Sequence, residues 1–326
     1  MTLNKNGVSR AMVCKLGALC LLTGLVFSAC NGTDPIKEKR NSIAEALKRE
    51  QEREQLRISE HYDFKTWNAP TDDKGKAKPY MIPVAKGDTT DMELARFWKS
   101  ASNAGYVFLA GSKPANTYPV YFESNSESDH KSLKLETKAG ARIFGMGSYV
   151  VPGSVYNGKL NMLKLIAAPL EATLFGSEYI LMPFRLSASV RYKAGAEMIN
   201  GIDKKKLDSK DKGSIVAVFY EVDQTLIKDG NDADTYLTGL NLHTDPRVIA
   251  KAVCEIEDTK GEDWVRIESS FTVMNKEAWE TLDFKTKKYR LALVLSSSYM
   301  GDNFFGAVGS TLLVDKLEIK GEPLSK

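Results

Sequence analysis

Apolar and polar residues alternate with a period of two through most of the chain from Tyr62 onward. In 184–192, apolar side chains occupy every second position, and arginine or serine fills the positions between them. This pattern predicts half-buried strands. Turn-rich segments such as 201–213 separate the strands, so we predict an all-β fold over residues 61–321, an antiparallel jelly-roll β-sandwich. Further strands are predicted at 118–122, 132–136, 162–167, 214–222, 248–256, 265–273, 289–295 and 311–319.

A charged segment precedes the β region. Residues 36–60 contain seven Lys or Arg and six Glu, with no Gly or Pro. Ser42 and Glu45 fit a capping box at a helix start, and apolar residues are too sparse for a core-facing stripe. We therefore predict a solvated helical spacer ahead of the sandwich. The alternative is a helical stalk that pairs with a protein partner.

The N-terminus has the pattern of an export signal. Residues 16–27 form an apolar run that is too short to span a bilayer, and Lys5, Arg10 and Lys15 are the charges around it. The run ends in small residues before Cys30, as in a bacterial lipobox. We predict a signal peptide over 1–29, lipidation of Cys30, a tether and stalk over 30–60, and an outer-membrane location on the periplasmic or the surface face. The alternative is an ordinary signal cleaved after Ala29.

Composition and charge exclude several classes of function. The chain has 45 basic and 42 acidic side chains, and the predicted signal accounts for the net charge of +3, so nucleic acid is not an expected partner. After removal of the signal and lipidation of Cys30, Cys254 is the one remaining thiol, which excludes an intramolecular disulfide. Sequence motifs of serine hydrolases, zinc proteases and P-loop enzymes are absent.

The C-terminal region resembles the putative carbohydrate metabolism domain, a family found in lipoproteins of Bacteroidota. The resemblance includes, after a strand, a Ser-Ser-Ser turn, a Gly-Asp pair, a Gly-Ala-Val-Gly-Ser-Thr-Leu segment and a Val-Asp pair. These four motifs are, in order, Ser296–Ser298, Gly301–Asp302, Gly306–Leu312 and Val314–Asp315. Earlier motifs of the family match Phe64–Trp67, Trp98–Gly105, Leu133–Thr137 and Ile215–Tyr220. The resemblance implies a β-jelly-roll sandwich that binds or processes glycans.

Candidate ligand groups follow from the chemistry of sugars. A pyranose packs its C–H groups on an aromatic ring, while its hydroxyls need polar partners. The candidate rings are Trp264, Trp98 and Trp67, and Trp264 falls on the polar face of its strand. Asp302 and Asn303 lie in a glycine-rich loop that is interpreted either as a structural connection or as the rim of a ligand groove.

Carboxylates suggest two further sites. Asp315 lies in an apolar strand, on the same predicted face as Leu313 and Leu317. A buried negative charge needs a compensating cation or hydrogen-bond donors. A structural Ca²⁺ shared with Glu123 is one hypothesis, and hydrogen bonds from backbone N–H groups are the alternative. Glu221 and Asp223 would share one face of a strand, about 6.6 Å apart, and are the candidate catalytic pair of a glycoside hydrolase.

Three functional hypotheses follow. The first is a lipid-anchored, non-catalytic glycan-binding accessory of polysaccharide uptake. The second is a structural or adhesive envelope protein that binds a protein partner. The third is a glycoside hydrolase that uses Glu221 or Asp223.

Overall fold

The structure is a computed structural model, and it describes residues 35–72, 74–84, 97–124, 130–260 and 263–324. The predicted signal peptide and Cys30 lie outside the described residues. The chain divides into two compact units, residues 1–52 and 53–326.

The described ranges contain four α-helices and twenty strands. The helices are α1 (Pro35–Leu56), α2 (Ala101–Ala110), α3 (Pro169–Ala172) and α4 (Lys276–Glu280). The strands are β1 (Ile58–Tyr62), β2 (Trp67–Asn68), β3 (Ile82–Pro83), β4 (Trp98–Lys99), β5 (Val120–Ser124), β6 (Lys131–Glu136), β7 (Lys138–Ile143), β8 (Met146–Val151), β9 (Ser154–Leu160), β10 (Thr173–Phe175), β11 (Ser177–Glu178), β12 (Met182–Lys193), β13 (Met198–Asn200), β14 (Gly213–Glu221), β15 (Val248–Ile256), β16 (Val265–Ser270), β17 (Thr272–Val273), β18 (Tyr289–Ser296), β19 (Phe305–Ala307) and β20 (Thr311–Glu322).

Two antiparallel sheets build the sandwich. The first has the order β16-β12-β20-β6-β5, and β1 also pairs with β20. The second has the order β10-β9-β18-β14-β15-β17, with β11 paired to β18 and β4 paired to β9. Three ribbons, β13–β19, β2–β3 and β7–β8, lie outside the two sheets. This architecture confirms the predicted all-β antiparallel sandwich.

The core lies between the sheets, because strands of both sheets turn alternate apolar residues inward. Leu186 and Val190 of β12 and Val314 of β20 are fully buried and share one hydrophobic cluster with Ala217 of β14 and Leu293 of β18. The period of two that predicted the strands is thus the period of burial.

Three sequence predictions change in detail. Residues 162–167 form turns rather than a strand, since only Leu165 of that segment is buried. Helix α1 begins at Pro35 and not at Ser42, whose hydroxyl donates to the Lys39 carbonyl inside the helix. Proline suits a first helical turn, where its missing N–H has no intrahelical role.

The sandwich also begins earlier in the chain than predicted, because β1 starts at Ile58 and pairs Ile58 with Gly321. The end of α1 is held within the second unit. Arg57 pairs with Glu54, donates from Nε to Glu322 at 2.8 Å and lies 3.4 Å from the centre of the Phe184 ring. In the part of the chain that the structure describes, no helix has the length and apolar character needed to cross a membrane.

Candidate functional site

The outer face of the first sheet is polar, because its strands turn their apolar residues toward the second sheet. In β12, Leu186 and Val190 point inward, and Arg185 and Arg191 therefore point outward. The antiparallel register aligns the outward residues of neighbouring strands in rows across the sheet. Two of these rows contain three of the residues that the sequence singled out, Trp264, Glu123 and Asp315.

The first row runs from Trp264 to Tyr121. Trp264 immediately precedes β16, whose Val265 pairs with Val190, so it lies beside Arg191. Arg191 pairs with Leu313, Leu313 pairs with Lys134, and Lys134 pairs with Tyr121. Five neighbouring strands at about 4.8 Å spacing give a row roughly 19 Å long.

Contacts along this row join its two aromatic rings through charges. The Arg191 guanidinium lies 4.8 Å from the centre of the Trp264 ring, and its Nη2 is 3.1 Å from Oε1 of Glu123. The other carboxylate oxygen of Glu123 is 3.4 Å from Nζ of Lys134, which lies 5.1 Å from the centre of the Tyr121 ring. Trp264 is 40 % exposed, so it can offer ring surface to a ligand beside groups that hydrogen-bond to hydroxyls.

The second row contains Asp315, and a β-bulge puts it there. Ser187 pairs with Glu318 and Ser189 pairs with Asp315, so β20 has one residue more than β12 between these pairs. Lys316 has a positive φ of 50° at this point. The uninterrupted alternation had predicted that Asp315 points inward with Leu317. The bulge instead turns Asp315 to the outer side of the sheet, where it is 7 % exposed.

Hydrogen bonds compensate the Asp315 carboxylate. It accepts from Nε2 of His130 at 3.0 Å and from the backbone N–H of Lys316 at 2.9 Å. The backbone-bonded alternative of the sequence analysis is thus present, with His130 added. His130 lies 185 residues away, so no local pattern could have found this pair.

The residues present do not fit the predicted Ca²⁺ site. Both oxygens of Glu123 engage cations, and both oxygens of Asp315 accept hydrogen bonds. Calcium needs six to eight oxygen ligands. The described residues contain no cluster of three or more His, Cys, Asp or Glu that could hold a metal ion.

Two of the three tryptophans that were predicted to stack on a sugar are buried inside the protein. Trp98 is 0 % exposed, in a ring cluster with Phe64 and Phe97. Trp67 is 6 % exposed, lies 5.4 Å from Phe122 between ring centres and donates its Nε1–H to the Phe64 carbonyl. A buried ring offers no face to a sugar, so the structure contradicts the prediction for Trp67 and Trp98.

The predicted catalytic carboxylates do not form a pair on one strand. Strand β14 ends at Glu221, whose Oε2 is 2.9 Å from Nζ of Lys287. Asp223 instead caps a 3₁₀ turn, where the Thr225 hydroxyl and N–H both donate to its Oδ1. These hydrogen bonds lower the pKa of Asp223, which keeps it ionised and unsuited to act as an acid.

Asp302 and Asn303 are exposed on the connection between β18 and β19. They form a 3₁₀ turn in which the Asn303 amide donates to Oδ1 of Asp302 at 3.0 Å. The connection is therefore a defined turn with two exposed polar side chains. Its role at the rim of a ligand groove stays a prediction.

A buried polar network around Asp211 was not found from the sequence. Asp211 is 2 % exposed, and its Oδ2 accepts from Ser298 at 2.6 Å, from the Ala307 N–H at 2.8 Å and from Ser310 at 2.8 Å. Its Oδ1 accepts from the Lys212 N–H at 2.9 Å. Burial raises the pKa of the Asp211 carboxyl, and the hydrogen bonds act in the opposite direction.

Hydroxyl groups extend this network to two further segments. Because Ser298 gives its proton to Asp211, it accepts from Thr137 at 2.7 Å, and Thr137 accepts from Ser297 at 2.8 Å. Ser297 in turn accepts from the Gly153 N–H at 2.9 Å. The Ser-Ser-Ser turn and the segments ending in Thr137 and Ser310 thus meet at one carboxylate. These motifs are structural in this protein.

Cys254 is a buried free thiol that belongs to the core between the sheets. Burial raises its pKa to about 11, so it stays protonated at neutral pH.

The protein is an antiparallel β-sandwich, and the outer face of its first sheet is polar and carries the exposed ring of Trp264. The chain belongs to the family of the putative carbohydrate metabolism domain, whose model matches residues 63–320. The match confirms the resemblance seen in the C-terminal motifs and places the chain among carbohydrate-related domains.

Two solved structures are similar to this chain over most of its length. A protein described as a putative glycoside hydrolase from Bacteroides thetaiotaomicron has 28% identity and a TM-score of 0.63, over 79% of this chain and 70% of that chain. Another, described in the same words and from Bacteroides vulgatus, has 26% identity and a TM-score of 0.61, over 79% of this chain and 96% of that chain. A comparison with curated proteins found no match.

Proposed function

We propose that this protein is a lipid-anchored envelope protein that binds a poly- or oligosaccharide without cleaving it, as an accessory of polysaccharide uptake. The proposed binding surface is the outer face of the first sheet, along the row from Trp264 to Tyr121. Its family supports a carbohydrate ligand.

The observation that supports this surface best is the pairing of Trp264 with Arg191. An exposed ring usually loses orientation in solvent, but here the guanidinium lies 4.8 Å from the ring centre. Arg191 is itself held by Glu123 at 3.1 Å. The ring is thus fixed by a charged network before any ligand arrives, which lowers the entropy cost of stacking. A row of about 19 Å is long enough to contact more than one unit of a poly- or oligosaccharide.

The test begins with a glycan array and a pull-down on insoluble polysaccharides, using residues 31–326. A hit is then titrated by calorimetry against Trp264→Ala, for which we expect at least about tenfold weaker binding. Phe108→Ala is the matched control, because Phe108 is also an exposed ring, at 71 %, but belongs to α2. Unchanged affinity of Trp264→Ala for a glycan that binds would remove this face from the proposal.

A glycoside hydrolase is the second candidate function, because both similar structures are described as putative glycoside hydrolases. Several carboxylates share a face with Trp264, and Glu123 and Asp315 are two of them. Glu123 pairs with Ser132, and Asp315 follows Val314, which pairs with Leu133, so the two acids lie in one row with β6 between them. Two strand spacings put their Cα atoms about 10 Å apart, and an inverting pair needs its carboxyl groups about 6.5–9.5 Å apart.

Reducing-end release from a bound glycan distinguishes the two functions. Turnover that is abolished by Glu123→Gln or Asp315→Asn, and kept in Glu221→Gln, would establish a hydrolase at this face. Turnover lost in Glu221→Gln would restore the original catalytic prediction. Binding without any product supports the non-catalytic proposal.

Lipid anchoring through Cys30 is tested separately. Metabolic labelling with a fatty acid should mark the wild-type protein and not Cys30→Ser, which should leave the membrane fraction. If no glycan binds, a pull-down with residues 31–326 and with the same chain starting at residue 53 tests the alternative of a protein partner that contacts the charged helix.

A further inference from the structure

The β7–β8 hairpin ends in an exposed apolar tip. Ile143 is 59 % exposed, Phe144 97 % and Met146 52 %. Ile143 pairs with Met146, so Phe144 and Gly145 are the two loop residues, with positive φ values of 51° and 81°. Three apolar side chains therefore project together from the outermost point of a two-residue turn.

The tip has a backbone that its sequence does not favour. Two consecutive left-handed residues define a type I′ turn, in which Asn, Asp or Gly is preferred at the first position. A bulky aromatic residue at positive φ is unusual, because its Cβ crowds the backbone. The Arg142 guanidinium fixes the turn by donating to the carbonyls of Gly145 and Gly147. The Arg142 bonds hold the backbone of the turn, and the ring of Phe144 is 97 % exposed.

Cations lie a fixed distance behind this tip. The loop after β13 bonds to β8 through the Gly201 carbonyl, which accepts from the Tyr149 N–H at 2.7 Å. Its exposed Lys204 places Nζ 4.1 Å from the centre of the Tyr149 ring. The exposed Asp203 and Lys205 flank Lys204, and Lys206 is paired with Glu197. Tyr149 is three residues from Met146, which corresponds to about 10 Å along the strand.

We propose that this hairpin tip inserts into an anionic lipid surface. Apolar groups of interfacial proteins enter the boundary between headgroups and acyl chains by about 5–10 Å. At that depth, Lys204, about 10 Å behind the tip, reaches the level of the phosphates, where a cation adds to the affinity. An apolar pocket of a partner protein would accept the ring but would not require this spacing of cations, so the charges favour the bilayer.

The proposal is independent of glycan binding and of lipidation. It is tested with residues 31–326, which lack the predicted signal and Cys30 but retain every described residue. Sedimentation with vesicles of phosphatidylethanolamine and phosphatidylglycerol at 3:1 measures partitioning, and vesicles of pure phosphatidylcholine provide the uncharged comparison. We expect binding to the anionic vesicles that is at least fivefold stronger than to the uncharged ones.

Two variants separate the apolar and the charged contributions. Phe144→Asn should weaken partitioning by about tenfold, the effect of withholding one aromatic side chain from the bilayer. Asparagine suits the left-handed position, so this variant should melt at the same temperature as the wild type or higher, and lost binding cannot then be attributed to misfolding. Lys204→Glu together with Lys205→Glu should lower binding to anionic vesicles only.

Phe108→Ala serves as the control for an exposed ring elsewhere on the surface and should partition like the wild type. Absence of wild-type binding to anionic vesicles at millimolar lipid, or wild-type partitioning of Phe144→Asn, would overturn the proposal. The tip would then be assigned to a protein partner.

Discussion

Asp211 holds together the loops that carry the family motif, and its replacement by alanine should destabilise the protein strongly. The carboxylate accepts four hydrogen bonds, from two serine hydroxyls and from the N–H groups of Lys212 and Ala307. The hydroxyls of Ser298 and Ser310 can rotate toward other acceptors. The two backbone N–H groups cannot, so in Asp211→Ala the buried N–H of Ala307 and the half-buried N–H of Lys212 both lose their acceptor.

The magnitude follows from those two donors. A buried donor without an acceptor costs about 1–3 kcal/mol, so Ala307 contributes about 2–3 kcal/mol and the half-buried Lys212 about 1 kcal/mol, a sum of about 3–4 kcal/mol. Burial of the Asp211 carboxylate itself costs desolvation energy, as its raised pKa shows, and the alanine variant no longer has this cost. We therefore expect a net loss of about 3 kcal/mol in the free energy of unfolding. Domains are typically stable by about 5–15 kcal/mol, so the loss is a large fraction of the total.

The assay is urea denaturation of residues 31–326, followed by tryptophan fluorescence. Asp211→Ala should lower the midpoint without changing the slope of the free energy against urea, because the folded state is unchanged in extent. Asp211→Asn keeps one acceptor oxygen and should lose about half as much. Asp208→Ala is the control, since Asp208 is exposed three residues earlier. The reasoning is refuted if Asp211→Ala unfolds at the same urea concentration as Asp208→Ala.

Three further predictions concern burial and charge. Trp98→Ala should lower the free energy of unfolding by about 3–5 kcal/mol, because the ring is fully enclosed, as urea denaturation will show. Cys254 should resist alkylation at pH 8 in the folded protein and react in urea, because its thiol is buried and its pKa is about 11. Hydrogen bonds from Lys320 and Arg57 lower the pKa of Glu54 to about 2 from 4.5, so its stabilising effect is present above pH 4.5 and is lost as the pH falls toward 2. Because Glu54 is exposed, the effect measured against Glu54→Gln should be at most about 1 kcal/mol.

Each of these has a result that would contradict it. A Trp98→Ala variant as stable as the wild type would show that the ring is not part of the core. Equal alkylation rates of Cys254 in the folded and unfolded protein would show an accessible thiol. A constant stability difference between the wild type and Glu54→Gln from pH 6 to pH 2 would show that the ion pairs of Glu54 do not stabilise the protein.

The sequence by itself determined the fold class and the family. The alternation in 184–192 corresponds to β12, and the bounds predicted for β15, 248–256, are those of the structure. The charged segment forms α1, as its composition indicated. These predictions succeeded because side chains alternate between the faces of a strand and because charged residues without an apolar stripe cannot face a core. Strand alternation and the absence of an apolar stripe both depend only on residues close together in the chain, so the sequence pattern alone is enough to predict them.

Only the tertiary structure decided which singled-out residues are exposed and which meet. One extra residue at Lys316 turns Asp315 to the outer face, and a bulge of this kind depends on the pairing with β12 rather than on β20 alone. Trp98 and Trp264 each adjoin a strand at a sheet edge, yet Trp264 keeps exposed ring surface while Trp98 is enclosed with Phe64 and Phe97.

The network around Asp211 shows the same limit at longer range. Thr137, Ser298 and Ser310 were visible as motif residues, but Asp211 lies in a polar turn region that contains several acids. It differs from its neighbours only because the ends of β12, β14 and β18 converge and exclude water there. Burial of a polar group is a property of what surrounds it in space, and a linear pattern does not contain that information.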